Sequence, residues 1–175
     1  RSARSSLRLA AGDVVVYASH GIGQIESTHA AEGRQPARIV LALDSGLRVT
    51  LPLRRAREAL RRLSGEQELE AVRLTLRADV ATSVEPWARR HRVAQEKLTA
   101  GEIGGLAEIV RDGLQREQRL TTTSTKPIAN ELFRQARKLL AAEIAACRGI
   151  EPEVADAWIV HQVVADHALS GRARA

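Results

Sequence analysis

Hydrophobic and polar positions along the 175 residues follow two different periods. From Gly12 to Pro52 the apolar runs are short and broken by turn residues. Val14-Val15-Val16-Tyr17 is a β-branched run entered through the turn pair Gly12-Asp13. Ser19-His20-Gly21-Ile22-Gly23 then punctuates the chain before Gln24-Ile25-Glu26 begins a second strand. The polar stretch from Thr28 to Pro36 predicts a hairpin loop. Arg38 to Leu43, the turn Asp44-Ser45-Gly46 and the strictly alternating Leu47 to Leu51 predict two more strands, the last closed by Pro52. Several short strands within about 50 residues predict a small, strongly bent sheet or SH3-like barrel. So small a barrel has an interior filled by side chains, which makes it a binding scaffold.

From about Ser64 the period changes from two to 3.6. Glu66 to Leu76 predicts a short helix. Pro86, tolerated in a first helical turn, opens a second that runs to Ala100 and stops at Gly101. Leu106, Ile109, Val110, Gly113 and Leu114 mark one stripe of a third. A polar loop is expected from Leu120 to Thr125, before Lys126-Pro127. Ile128, Leu132, Phe133, Ala136, Leu139, Leu140, Ile144 and Cys147 mark a long amphipathic helix ended by Gly149. Val154 to Leu169 predicts a last helix with Trp158 on its apolar side. The chain is therefore expected to be α+β and multi-domain, a β-rich module followed by an all-α helical bundle.

Composition narrows the function. Tyr17, Trp87, Phe133 and Trp158 are the only aromatic residues, so Leu, Ile, Val and Ala must build the core. No apolar run approaches the ~18 residues of a bilayer span, and no secretory signal is read, so a cytoplasmic protein with no membrane partner is expected. Cys147 is the only cysteine and falls on a helix's apolar stripe, the place of a buried inert thiol. Charge is unevenly distributed. Residues 1–62 hold 11 Lys/Arg against 5 Asp/Glu, whereas residues 63–175 hold 16 of each. A basic first third suits nucleic acid, an acidic protein partner or simple solvation, and charge alone does not choose. His20, His29, His91, His161 and His167 lie in different segments, with His161 and His167 on different helix faces, so no metal site is expected. Gly21-Ile22-Gly23 is too short for a dinucleotide fingerprint, and no nucleophile elbow or phosphate loop is present. No catalytic residue and no cofactor are expected, and the chain reads as no enzyme.

Gly12-Asp13-Val14-Val15-Val16-Tyr17-Ala18-Ser19-His20-Gly21 resembles the opening motif of the CarD/CdnL family, G-D-x-V-V-Y-P-x-H-G, with Ala18 standing where the family usually has proline. The stretch Trp87 to Gly101 is similar to the family's W-x-x-R…E-K-L-x-S-G-D block. Leu106 to Leu114 resembles its L-A-E-V-V-R-D-L helix, and Ala136 to Ile144 its last core helix. Four blocks in register cover roughly residues 8–148. The resemblance implies a Tudor-like β domain at residues 8–62 that binds the β-subunit lobe of bacterial RNA polymerase. It implies a helical domain at 64–148 that contacts promoter DNA at the upstream edge of the bubble without reading sequence. Residues 149–175 lie beyond it as a helical extension, and a monomer is expected.

The same resemblance gives Trp87 the role of a minor-groove wedge that fills an unstacked base step, with Arg89, Arg90 and Arg92 on flanking phosphates. Read without it, Trp87 would be a core tryptophan beside a solvated basic face. The polymerase surface is expected along a sheet edge, where strand addition supplies main-chain hydrogen bonds, with Arg34, Arg38, Arg48, Thr50, Leu51 and Pro52 as contacts. Thr50 stands where the family has a contacting arginine, and the hairpin arginine has no equivalent at His29 to Ala31. The run Arg54, Arg55, Arg57, Arg61 and Arg62 reads equally as a nucleic-acid or polymerase contact and as a solvated connector. An adaptor whose helical domain packs on protein instead of DNA is the alternative, and a free nucleic-acid binder a third.

Overall fold

The computed structural model describes residues 9–79, 86–121 and 131–170. It divides into two compact units that meet between Leu63 and Ser64. The first holds β1 (Val14–Tyr17), β2 (Gly21–His29), β3 (Arg38–Leu43), β4 (Arg48–Pro52), a short helix α1 (Leu53–Ala59) and β5 (Leu60–Arg62). These strands form one antiparallel sheet in the order β4-β3-β2-β1-β5, leaving β4 and β5 as its edges. Period-two alternation decides which side is buried. Ile39, Leu41 and Leu43 of β3 face the core with Val15, Ile25, Ala56 and Leu60, while their neighbours face out. Each fully buried Ile or Leu contributes roughly 1.5–3 kcal/mol.

Two features depart from the sequence reading. The run after Pro52, read equally as a nucleic-acid or polymerase contact and as a solvated connector, forms α1 and then returns as β5, pairing Val15 with Arg62 and Tyr17 with Leu60. Ala56 and Leu60 give this segment its buried side, so Arg54, Arg55, Arg57 and Arg62 are left exposed around an anchored element. The second strand also extends further than expected at both ends, from Gly21 through His29, and carries a bulge between Ile25 and Ser27. The extra residue is Glu26, which is exposed.

The second unit holds α2 (Glu66–Arg77), α3 (Trp87–Ala100), α4 (Ile103–Thr121), α5 (Glu131–Arg148) and α6 (Pro152–Ser170). The punctuation residues act as their chemistry predicts. Pro86 precedes α3 and its carbonyl accepts from the Arg89 and Arg90 N–H groups. Gly101, at φ 65°, ends α3 in the left-handed conformation and donates to the Lys97 and Leu98 carbonyls. Gly149, at φ 63°, follows α5 in the same way. α4 runs through Thr121, so the expected loop begins later than Leu120; the rest of that loop, and Ile128, lie outside the described residues.

One core joins all five helices. Leu69, Val72 and Leu76 of α2 meet Leu106 and Val110 of α4, Leu140 and Ile144 of α5, and Ala155, Ile159 and Val163 of α6. The helical extension expected at residues 149–175 thus contributes α6 to the core through Ala155, Ile159 and Val163. Trp158 packs against this core, and the Arg148 guanidinium lies 4.4 Å from its ring. Arg137 binds Asp156 through two hydrogen bonds of 2.6 Å, tying α5 to α6 and raising the arginine's pKa further. α3 is the least embedded helix: Leu98, near its end, is its one fully buried residue. An ion pair between Lys97 and Glu108 holds that end to α4, which leaves the first turn standing clear of the core.

Candidate nucleic-acid and protein interfaces

The first turn of α3 carries Trp87, a residue 61% exposed. That rules out the core reading of this tryptophan. Its ring stacks on His91, one helical turn on, with centroids 4.9 Å apart and planes 18° from parallel. The 3.6 period then sorts the arginines. Arg90 lies three residues on, on the same side as Trp87 and His91, and is half-buried; Arg89 and Arg92 are exposed on the other flank. The four residues grouped by sequence therefore do not ring the indole evenly.

Beside Trp87 and His91 runs a groove of about 250 Å³ between α3, α4 and α5. Its floor is apolar, built from Ile109, Leu132 and Phe133, and its rim carries Arg90, Lys97, Asp112 and Arg116. Phe133 reaches the floor because Gly113 has no side chain: a Cβ there would come within 2.2 Å of the phenyl ring. Nδ1 of His91 is buried with no hydrogen-bond partner among the described residues. The sequence reading considered His91 only as a possible metal ligand and set it aside; the signal for the stack is a ring four residues after Trp87 on one helix.

In the β unit the expected protein surface falls on one edge. The hydrogen bonds Leu43 N–H to Leu47 O and Leu53 N–H to Ala37 O bracket the β3–β4 ladder. Leu41/Val49 and Ile39/Leu51 are therefore its hydrogen-bonded pairs, and the main-chain groups of Arg48 and Thr50 point outward. Pro52 has no N–H to offer and ends that open edge. Val49 and Leu51 pack against the core, whereas the Arg48, Thr50 and Pro52 side chains are exposed. Arg38 pairs across the ladder with Pro52 and donates to Gln35 at 2.6 Å; Arg34 is exposed in the β2–β3 loop. Arg48 is not simply solvated. The bulged Glu26 accepts two hydrogen bonds from it, at 2.8 and 2.7 Å, and this pairing raises the guanidinium pKa. Local pattern carries no sign of that pair, because its members lie on β2 and β4 with β3 between them.

Residues 9–64 match the CarD-like/TRCF RID domain, and residues 71–160 match the CarD C-terminal domain. The chain belongs to the CarD/CdnL family. This is a family of bacterial transcription regulators, and the α+β architecture with its Tudor-like first domain is the fold that membership implies. The chain is also 26% identical over 145 residues to a Bacillus subtilis (strain 168) protein named "Putative transcription factor YdeB", covering 79% of this chain and 92% of that protein. Among the described residues there is no cluster of three or more potential metal ligands, and no helix is long and apolar enough to cross a membrane.

Proposed function

We propose that this CarD-family regulator docks on the β-subunit lobe of bacterial RNA polymerase and stabilises or tunes the promoter open complex. The β unit, residues 8–62, supplies the docking. The outward main-chain groups of Arg48 and Thr50 extend a strand of the partner, and Arg34, Arg38, Arg48, Leu51 and Pro52 border that contact. The helical unit supplies the promoter contact. Trp87 enters the minor groove at the upstream edge of the bubble, where a flat apolar ring fills the gap left by an unstacked step. Arg89 and Arg92, and Arg90 on the groove side, neutralise phosphates without reading bases. The work is done in the bacterial cytoplasm.

The observation that carries this reading is the exposure of Trp87 on the first turn of α3. With the exposed Val93, Trp87 lines an apolar-floored groove, and a patch of that kind marks a partner site where a lone exposed residue would not. The groove beside it favours a second reading, in which α3 receives a protein segment instead of DNA. Co-elution with RNA polymerase core from the host tests the docking half. Absence of binding at both low and moderate salt overturns it. Open-complex lifetime with Trp87→Ala tests the other half: a shortened lifetime with an intact fold supports the wedge, and an unchanged one supports the adaptor.

A further inference from the structure

We propose that His91 is a positioning residue for Trp87, a stacking platform that fixes the indole before it meets DNA. The inference rests on the wedge reading above and adds a residue to it. An exposed tryptophan on a first helical turn can occupy several rotamers, and only some project the ring away from the helix. His91 removes that freedom. Its ring lies nearly parallel to the indole, 18° apart with centroids at 4.9 Å, one turn further into α3. One face of the indole is thereby covered by protein, while the residue as a whole stays 61% exposed. Ordering achieved in the free protein no longer opposes binding.

The contact between His91 and Trp87 is one of ring faces, so ring shape is the property of His91 that it uses. Its Nδ1 is buried, so the ring is set into the groove and does not stand out in solvent. His91 lines the groove together with Ile109 and Phe133, and Gly113 lets Phe133 approach. A phenyl ring at position 91 would keep a flat face for the stack.

The test uses the full chain carrying Trp158→Phe, so that Trp87 is the only fluorescent tryptophan, with His91→Ala and His91→Phe made in that background and thermal melting as a folding check. Time-resolved anisotropy of Trp87 in the free protein reads its order directly. Open-complex lifetime on one promoter reads the consequence. His91→Ala is expected to add a fast component to Trp87 motion and to reduce open-complex stabilisation about three- to tenfold, the effect of one unrestrained side chain. His91→Phe is expected to preserve both. If His91→Ala leaves the anisotropy decay unchanged, or if His91→Phe loses as much lifetime as His91→Ala, the platform role is wrong. Failure of the wedge reading looks different: Trp87→Ala itself then leaves the lifetime unaltered, while the anisotropy still decides whether His91 orders Trp87.

Discussion

The carboxylate of Glu143, 1% exposed on α5, accepts hydrogen bonds from the backbone N–H and the hydroxyl of Ser64, at 3.2 and 2.7 Å. Ser64 is the first residue of the helical unit, and its carbonyl also accepts from the Cys147 thiol at 3.2 Å. A buried acid is tolerated here because these donors replace water. Glu143→Ala removes the acceptor and leaves a cavity, so it is expected to cost about 2–4 kcal/mol. Glu143→Gln, which keeps one acceptor oxygen, is expected to cost less than half of that. Chemical denaturation of the two variants checks the order, and equal losses would show that packing alone matters.

Two glycines of α4 should respond in opposite directions to alanine. At Gly104 a Cβ meets nothing within 4 Å, so Gly104→Ala is expected to stabilise by about 0.5–1 kcal/mol through helix propensity. At Gly113 the same Cβ falls on the Phe133 ring, and Gly113→Ala is expected to destabilise by roughly 1–3 kcal/mol as α4 and α5 are forced apart. Thermal melts of the pair are sufficient to see the sign change.

Ala18 stands where the family motif usually has proline, and it sits at φ +36°, the one described non-glycine residue at positive φ. Proline is confined to φ near −65° and cannot occupy this backbone. Ala18→Gly is expected to gain about 1 kcal/mol, and Ala18→Pro to lose stability unless the turn is rebuilt. A melting temperature that rises with proline would mean that the Ala18–His20 turn readily adopts another geometry.

The open edge of β4 gives a backbone test of docking. Because the Thr50 N–H points away from β3, Thr50→Pro removes an outward donor without breaking the ladder. It is expected to weaken polymerase co-elution while leaving the melting temperature within a few degrees of the parent. Unimpaired co-elution would move the contact away from this edge.

Salt dependence separates the arginines of α3. Arg89 and Arg92 are exposed and should each contribute close to one phosphate contact. Replacing either with alanine is expected to reduce the slope of log K against log salt by about 0.9. An unchanged slope in both variants would remove phosphate contact from their role.

Much of this architecture is written in local pattern. The ends of α2 and α3, the stop at Gly149 and the alternation of β3 and β4 follow from propensity, period and punctuation, which act over a few residues and need no partner. Family membership was legible for the same reason, in four blocks of residues. What needed the tertiary structure involves residues distant in sequence or a choice that burial makes. β5 is only Leu60–Arg62, inside an arginine run with no alternation, and it is a strand because β1 offers it a ladder. Glu26 reaches Arg48 because a bulge in β2 turns it toward a strand 22 residues away. The exposure of Trp87 is likewise undecidable from its neighbours, since an amphipathic helix can present either side to a core. Leu98 anchors the far end of α3, and the packing of α4 and α5 decides that the first turn, with Trp87 on His91, is left to face solvent.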